Sequence, residues 1–226
     1  MTRLSIIVPA LDEAAGIGAT LRALQPLRAA GHEVIVVDGG SRDGTVDSAR
    51  PLADRVLAAP RGRARQMNAG ADAAAGDVLL FLHADTRLPP DADRAVLDGL
   101  APAGAAWGRF DVRIEGASPL LALVARLMNA RSRLTGIATG DQAIFATRAA
   151  FAAVGGFPAL PLMEDVELSA RLKRVSPPLC LRERVVTSGR RWESRGVVRT
   201  VCLMWWLRLA YFLGASPERL RRIYYG

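Results

Sequence analysis

The sequence has 226 residues, of which 30 are basic and 22 acidic, so its formal net charge is +8 at neutral pH. Half of the residues are hydrophobic and 23% are charged, proportions that exclude an intrinsically disordered or fibrous chain. The basic excess, almost all arginine because Lys173 is the only lysine, favours an anionic partner such as nucleic acid, a phosphate-bearing molecule or anionic lipid.

Short apolar segments alternate with helical patterns over the first hundred residues. Continuous apolar runs predict buried strands, and apolar spacings of three and four predict helices. The pattern predicts strands over 4–8, 34–37, 55–59 and 78–82, and helices over 14–27 and 63–75. Ser41 or Asp43 is the expected cap of a further helix after the second strand. This alternation predicts an α/β fold with a mostly parallel central sheet and helices on both faces.

The pattern changes after about residue 100. We expect a strand with one covered face over 107–114, a helix over 119–133, a strand over 142–147 and a helix over 163–175. Since no Pro/Gly-rich linker interrupts the chain, we predict one domain over 1–226. Within it, 1–100 is the expected nucleotide-binding half, 101–195 a small antiparallel, acceptor-side addition, and 196–226 a helical tail.

The segment 197–213 is predicted to form an apolar helix whose placement stays open. Arg199 and Arg208 interrupt its apolar run, which is shorter than the roughly 18–20 residues of a membrane span. Burial in the core or in a subunit contact is the prediction, and an interfacial helix on anionic lipid is the alternative. One helical face carries Val198, Val201, Cys202, Trp205, Leu209 and Phe212, and the basic cluster Arg219, Arg221 and Arg222 follows.

Cysteine and histidine counts limit the chemistry. Cys180 and Cys202 are too few for a disulfide framework, and with only His32 and His83 a Cys/His zinc site is excluded. The N-terminal segment lacks the long apolar region of a signal peptide. We therefore expect a cytoplasmic protein. The C-terminal helix leaves open the alternative of a peripheral position on the inner face of the membrane.

Acidic residues follow three of the predicted strands. Ligands of open α/β sheets bind at the carboxyl ends of the strands, so these acids are the first candidates for a functional site. No P-loop is present, and the partial dinucleotide motif at Gly16 begins too far beyond its strand and lacks its third glycine. The three clusters are Asp12-Glu13, Asp38-Gly39-Gly40-Ser41 and His83-Ala84-Asp85.

Six motifs in this order resemble family 2 glycosyltransferases with the GT-A fold. The sequence shows Ser5–Glu13, Val36–Thr45, Arg63–Gly70 and Phe81–Asp85, followed by Gly155-Gly156-Phe157 with Glu164-Asp165 and by Arg191-Trp192. The resemblance covers roughly residues 3 to 195. The short length and the Gly140-Asp141-Gln142 sequence further resemble a compact bacterial subgroup associated with radical-SAM and selenium-domain proteins.

The resemblance implies a nucleotide-sugar site in the first half. Asp38 would accept a hydrogen bond from a uracil-type base, and Asp85, the last acid of the Asp-x-Asp motif, would hold Mg²⁺ or Mn²⁺ against the diphosphate. His83 stands where that motif usually has its first Asp. It would either contact the ribose or simply form the end of a buried strand. The full expected donor set is Pro9, Leu11, Glu13, Asp38, Arg65, His83 and Asp85, with Arg61 and Arg63 as weaker candidates beside Arg65.

The resemblance also implies the reacting groups of the second half. Asp165 would be the general base of an inverting transfer, with Glu164 supporting it. The alternative for both acids is a structural role, in which their negative charges are stabilised by the dipole at the N-terminus of a helix. Asp141 and Gln142 are expected acceptor contacts, and Arg191 and Trp192 either close over the diphosphate or form a structural pair.

The expected function is therefore metal-assisted transfer of a sugar from a nucleotide-diphosphate sugar, with UDP as the expected nucleotide, to a small or lipid-linked acceptor. A sugar-phosphate nucleotidyltransferase is one alternative, although it would place a glycine-rich basic loop after the first strand. A non-catalytic nucleotide-binding module at a membrane or partner surface is another. We expect no nucleic-acid partner, because no recognition motif is present, and a homo-oligomer stays open.

Overall fold

The computed structural model describes residues 2–225, with side chains described through residue 224. Strands from both halves of the chain join one mixed eight-stranded sheet in the order β3-β2-β1-β4-β7-β6-β8-β5. The strands are β1 Leu4–Ala10, β2 Glu33–Asp38, β3 Arg55–Ala58, β4 Val78–Phe81, β5 Thr86–Arg87, β6 Trp107–Glu115, β7 Phe145–Thr147 and β8 Leu179–Ser188.

Helices connect the strands and cover the sheet. Most of the predicted helices are present, several with shifted ends. The helices are α1 Ala14–Ala23, α2 Gln25–Ala29, α3 Thr45–Ala49, α4 Arg63–Ala73, α5 Ala92–Leu100, α6 Leu120–Thr135, α7 Arg148–Ala153, α8 Glu164–Leu172, α9 Arg190–Arg195, α10 Val197–Phe212 and α11 Pro217–Tyr225, with a short 3₁₀ helix at Gly140–Gln142.

The first four strands are parallel, as the sequence predicts. β1 lies between β2 and β4, and β2 also pairs with β3, so that the carboxyl ends of β1, β2 and β4 meet at one edge of the sheet. The change in strand direction comes at β7, which pairs antiparallel with both β4 and β6. The structure is thus a mixed α/β fold with a mostly parallel sheet and an antiparallel insertion.

Two apolar cores cover the two faces of this sheet. One contains the inward residues of α1, α5 and α6, and the other those of α4, α7 and α8. Helix α4 packs very closely on the sheet, since a Cβ atom at Gly70 would lie 2.4 Å from Ile7 Cγ2. Only glycine allows this approach, which brings the N-terminal residues of α4 to the carboxyl ends of the strands.

Several local predictions are wrong. Residues 142–147 do not form one strand, because Gln142 belongs to the 3₁₀ helix and only Phe145–Thr147 pairs in the sheet. The first residues of β6 are buried on both faces, so the one-sided alternation predicted for 107–114 holds only for its second half. Gly44, and neither Ser41 nor Asp43, is the N-cap of the short helix α3, although Asp43 Oδ1 accepts a hydrogen bond from the N–H of Thr45, its first residue, at 3.0 Å.

The apolar face predicted for 197–213 is exposed, so its predicted burial in the core is wrong. Val198, Trp205, Leu209 and Phe212 are all exposed. Helix α10 instead buries Val197, Thr200 and Leu207. The exposed residues lie on the side of α10 that faces away from the protein. Within residues 2–225, no helix has both the length and the apolar character needed to cross a membrane.

Candidate functional site

The loops after β1 and β2 are bound together by hydrogen bonds. The backbone N–H of Asp12 donates to Ser41 Oγ at 2.9 Å, and the N–H of Glu13 donates to Thr45 Oγ1 at 2.8 Å. Asp43 Oδ2 accepts from the N–H of Ala14, the first residue of α1, at 3.0 Å. Motif residues that follow two different strands therefore form one rigid rim at the edge of the sheet.

Asp38 is buried at the end of β2 and shapes the turn that follows it. Its carboxylate accepts hydrogen bonds from the N–H groups of Gly40 at 2.9 Å and Ser41 at 3.1 Å. Gln66 of α4 supports the same region, because its Nε2 donates to the carbonyl oxygens of Ala10 and Val37, both at 2.8 Å. Gln66 was not among the predicted site residues, although a buried amide on an otherwise apolar helix face is a signal for such a contact.

The basic segment at the start of α4 carries three predicted candidates. Arg61, Arg63 and Arg65 are all exposed, and Arg65 stays a predicted diphosphate contact. The positive charge of Arg63 acts on the carboxylates of Asp141 and Glu164. Arg63 is therefore the arginine of this segment that the structure brings to the acidic residues of the second half.

Glu13 and Asp85 form a pair of carboxylates beside α9. Burial, and then the negative charge of Asp85, raise the pKa of Glu13, while Arg190 and Arg191 act in the opposite direction. Arg190 Nη2 lies 3.6 Å from Glu13 Oε2. Asp85 is partly exposed and has one weak side-chain contact, from Thr86 Oγ1 at 3.4 Å. Oxygen atoms at this rim are thus available to a divalent cation, although the described residues contain no cluster of three or more ligating side chains.

His83 pairs with Asp141. His83 Nδ1 lies 3.2 Å from Asp141 Oδ1. Burial alone would raise the pKa of Asp141, but the hydrogen bond and charge of His83, followed by the charges of Arg63 and Arg191, hold that pKa below its ordinary value. The ring of His83 also packs on Gly140, where a Cβ atom would lie 2.4 Å from His83 Nε2. The residue that departs from the Asp-x-Asp pattern thus joins the end of β4 to the 3₁₀ helix.

Asp165 lies at the N-terminus of α8 and faces the same pocket as His83. Its Oδ2 accepts a hydrogen bond from the N–H of Gly140 at 2.9 Å, and its Oδ1 accepts from the N–H of Val166 at 2.7 Å. These bonds fix the carboxylate in one orientation. The pocket is lined by Met67, Phe81, His83, Gly140, Ile144, Phe157, Glu164 and Asp165.

Asn68 connects α4 to the segment that leads to α8. Its Nδ2 donates to the carbonyl oxygen of Phe157 at 2.8 Å, and its Oδ1 accepts from the N–H of Phe157 at 2.9 Å. A paired amide contact of this kind fixes the chain as a strand pairing would. It sets the start of the segment 158–163, which carries the two acids of α8 to the pocket.

Glu164 is buried next to Asp165. Burial, and then the negative charge of Asp165, raise the pKa of Glu164 above its ordinary value of 4.5, although Arg63 and His83 oppose the shift. A group whose pKa is raised by folding costs stability at a pH above both values, and this cost disappears as the pH falls through the folded pKa.

The variant Glu164→Gln should therefore be more stable than the native protein at neutral pH. We expect a melting temperature higher by about 2–4 °C, the shift that ~1 kcal/mol gives in a chain of this length. The gain should shrink as the pH is lowered from about pH 8 to about pH 5. Thermal melts across this range measure it, with Glu167→Gln as the control because Glu167 is less buried and pairs with Arg171 at 3.0 Å. A gain independent of pH would contradict the burial of a charged Glu164.

Gln142 is not an acceptor contact, which corrects the prediction. The side chain is fully buried, and its Oε1 accepts from the N–H of Thr139 at 3.2 Å in a capping box. Its Nε2 faces Asn129 Oδ1 at 3.4 Å. Gln142 therefore supports the 3₁₀ helix that presents Asp141 and the Gly140 amide, and has no surface left for a ligand.

Arg191 and Trp192 take separate roles. Arg191 Nη1 donates to Tyr224 Oη at 2.9 Å, and its guanidinium lies 5.9 Å from the centre of the Tyr224 ring. Its charge nevertheless acts on Glu13 and Asp141, so that it stands near both parts of the site. Trp192 is half-buried against the core beside α1, α5 and α6.

Arg131 of α6 is a site residue that the sequence reasoning missed. Its Nε and Nη2 atoms are buried and have no hydrogen-bond partner among the described residues. Burial lowers the pKa of Arg131, while the negative charges of Asp165 and Asp141 raise it. An arginine inside a helical pattern gives no signal of its own, because most such residues are solvated.

Comparison with known proteins agrees with this arrangement. The family model described as "Glycosyl transferase family 2" matches residues 5–145. A PGL/p-HBAD biosynthesis glycosyltransferase of Mycobacterium bovis is 38% identical over 91 residues, which cover 37% of this chain and 36% of that protein. The match thus spans about a third of the length of the curated relative.

Solved structures share the fold. S. aureus TarS 1-349 in complex with UDP superposes with a TM-score of 0.66 and 17% identity, covering 82% of this chain and 60% of that one. The mannosyltransferase PcManGT from Pyrobaculum calidifontis, in complex with GDP-Man and Mn²⁺, gives a TM-score of 0.63 and 22% identity, covering 82% of this chain and 56% of that one. The fold is GT-A, and the family match spans more than half of the chain. The chain therefore belongs to glycosyl transferase family 2.

Proposed function

We propose that this protein is an inverting glycosyltransferase that moves a sugar from a nucleoside-diphosphate sugar to an acceptor hydroxyl group. The observation that carries the proposal is the shared pocket of Asp165 and His83. The first residue is a fixed carboxylate on the acceptor side, and the second stands two residues before the expected metal ligand Asp85. Asp165 and the end of β4 that leads to Asp85 therefore lie close together, as a displacement at one carbon atom between a base and a diphosphate requires.

The donor site is proposed at the rim formed by the loops after β1 and β2. Asp38 keeps carboxylate lone pairs beyond its two contacts to the turn, and these would accept a hydrogen bond from the imide N–H of uracil. Pro9 and Leu11 would line the base pocket, with UDP as the expected nucleotide. The bound UDP of TarS and the bound GDP-Man of PcManGT support a nucleotide sugar without deciding the base.

Asp85 would hold Mg²⁺ or Mn²⁺ together with the diphosphate oxygens. The neighbouring carboxylates of Glu13 and Asp85 fit this role, because burial and the negative charge of Asp85 raise the pKa of Glu13 even beside Arg190 and Arg191, and a divalent cation would offset that repulsion. A divalent ion bound there would offset the negative charge that develops on the leaving diphosphate. The Mn²⁺ bound to PcManGT with GDP-Man supports the proposal.

Asp165 would act as the general base. Its carboxylate would take the proton of the acceptor hydroxyl while that oxygen forms a bond to the anomeric carbon. The bond from the anomeric carbon to the diphosphate oxygen breaks on the opposite side, so the configuration inverts. The proton ends on Asp165, and the electron pair leaves with the nucleoside diphosphate. Asp141 is kept ionised by His83 and would orient the acceptor, which is either a small molecule or lipid-linked.

A screen of nucleotide sugars in the presence of Mn²⁺ tests the proposed function. A UDP-sugar at a hundred times its dissociation constant should stabilise the protein by about 2.7 kcal/mol, which raises the melting temperature by about 5–10 °C in a chain of this length. The same sugar should be slowly hydrolysed with release of UDP. If no nucleotide sugar stabilises the protein, the proposal is wrong. Formation of pyrophosphate from UTP and a sugar phosphate would favour the nucleotidyltransferase instead, and binding without turnover would favour the binding module.

A further inference from the structure

Large exposed apolar side chains are concentrated on one part of the described surface. Of the large apolar side chains that are exposed within residues 2–224, only Val175 lies outside helices α6, α10 and α11 and the turn after α10. Helices α6 and α10 contact each other, and α11 packs on α10. The residues are Leu120, Leu123, Leu127 and Leu134 of α6, Val198, Trp205, Trp206, Leu209 and Phe212 of α10, Leu213 after it, and Ile223 of α11. We name this set the α6–α10 face.

The spacing on α6 shows that the exposure has a pattern. Leu120, Leu123, Leu127 and Leu134 follow one another at intervals of three, four and seven residues, and so form one stripe along the helix. The opposite side of α6 buries Leu121, Val124 and Ala125 in the core. An ordinary surface helix would place polar residues on its outer side. α6 is instead apolar on both sides, and the leucines of its outer stripe are 43–87% exposed.

Helix α10 presents aromatic residues in the same way. Trp205 is 68% exposed and Phe212 is 87% exposed. Trp206 and Leu209 line a shallow groove with Leu213 and Arg219 between α10 and the start of α11. A patch of this kind, larger than scattered apolar residues on a monomer, marks an interaction surface.

The three helices that carry the α6–α10 face contain far more basic than acidic residues, with eight arginines and one acid, Glu218. Two of these arginines belong elsewhere, since Arg131 has buried guanidinium atoms near Asp165 and Arg133 pairs with Asp111 at 2.7 Å. Arg199, Arg219 and Arg222 are exposed at its edges. Tryptophan with arginine at the border of an apolar surface is typical of segments that lie in the interface of an anionic membrane.

The α6–α10 face lies next to the acceptor side of the candidate site. Met163, which directly precedes Glu164, packs in a small core with Leu207, Leu220 and Tyr224 of the C-terminal helices. Tyr211 Oη of α10 also donates to Glu167 Oε2 of α8 at 3.3 Å. The helices that carry the face therefore hold the segment that bears the proposed base.

We propose that the α6–α10 face binds an anionic membrane surface, with its leucine and aromatic side chains in the interfacial region and its arginines on the lipid phosphates. A second copy of the chain fits less well, because a two-fold contact through this face would bring two sets of arginines together. An anionic membrane surface would bury the apolar side chains and pair the arginines with lipid phosphates at the same time. The proposed membrane contact is independent of the transferase activity, and does not need it to be correct.

Vesicle flotation without any nucleotide tests this inference. The protein should float with vesicles of phosphatidylcholine and phosphatidylglycerol, bind vesicles of phosphatidylcholine alone much more weakly, and lose binding as salt is raised. Tryptophan emission should shift to shorter wavelength on binding. The double variant Trp205→Glu/Phe212→Glu should bind at least about tenfold more weakly, and Leu123→Glu/Leu127→Glu should weaken binding through the other helix.

Val175→Glu is the matched control, since Val175 is 47% exposed but lies after α8 and outside the α6–α10 face. It should bind vesicles as the native protein does. Thermal melts of every variant confirm that the fold is kept, because all of the substituted side chains are exposed. The inference is overturned if the native protein does not float with anionic vesicles, or if Val175→Glu weakens binding as much as the double variants. A native dimer that the double variants dissociate, without vesicle binding, would assign the face to a second copy.

Discussion

The variant Asp165→Asn should release UDP from the donor sugar about 10²- to 10⁴-fold more slowly than the native protein, the contribution typical of a positioned general base. Asparagine has nearly the same shape as aspartate, and its amide oxygen can keep the hydrogen bond that the Gly140 N–H donates to Asp165 Oδ2 at 2.9 Å, although its amide nitrogen loses the one that the Val166 N–H donates to Oδ1. It cannot take up a proton. The loss should therefore fall on turnover and leave the affinity for UDP unchanged, which calorimetry and a UDP-release assay measure separately.

Glu167→Gln is the matched control for Asp165→Asn. Both acids belong to the first turn of α8, but Glu167 contacts Arg171 and Tyr211 and does not line the pocket. If the effect came from the charge at the helix N-terminus, both variants would lose activity to a similar extent. Unchanged turnover in Asp165→Asn would show that another group is the base, and a loss of UDP affinity would place Asp165 in the donor site.

The variant Asp85→Ala should remove the metal-dependent part of UDP binding. Substitution of residues that only orient the metal ligands typically lowers metal affinity or activity by about 10–100-fold. Loss of a direct ligand should lower the metal affinity by at least as much. In calorimetry, the native protein should bind UDP more tightly with Mn²⁺ than with a chelator. The variant should show the same weak binding under both conditions, since the substitution leaves the proposed nucleoside contact of Asp38 in place.

Asp98→Ala is the control for Asp85→Ala, because Asp98 is an exposed acid on α5 away from the strand ends. It should keep the full response to Mn²⁺. Binding of UDP that does not depend on Mn²⁺ in the native protein and is unaltered in Asp85→Ala would exclude the metal role. The two variants also separate the two halves of the site, since one should change turnover alone and the other the affinity for the donor.

The parallel half of the fold follows directly from the sequence. The runs 34–37 and 78–82 are wholly apolar, and Ser5 is the single polar residue of the run 4–8. Such runs are typical of strands covered on both faces, and β1, β2 and β4 lie within two residues of them. The acids that follow these runs meet at one edge because parallel strands point their carboxyl ends the same way. The rim with Glu13, Asp38 and Asp85 was predictable for that reason.

The second half was harder to predict. Helix α5 and strand β8 were missed, and the single strand expected over 142–147 is a 3₁₀ helix followed by the short β7. β7 forms only because β4 and β6 stand on either side of it, and a three-residue strand has no periodicity of its own. The burial of Gln142 likewise depends on Thr139 and Asn129, which pattern reasoning cannot place beside it.

The sequence by itself determined the α/β alternation, the acidic strand ends and the family motifs, because these depend on local pattern and on the order of elements along the chain. Only the tertiary structure paired His83 with Asp141 and placed Arg131 near Asp165, since these residues are far apart in sequence. It also decided the environment of 197–213. Periodicity identifies an apolar helix face, but whether that face is buried depends on what packs against it, and here α6 continues the exposed surface.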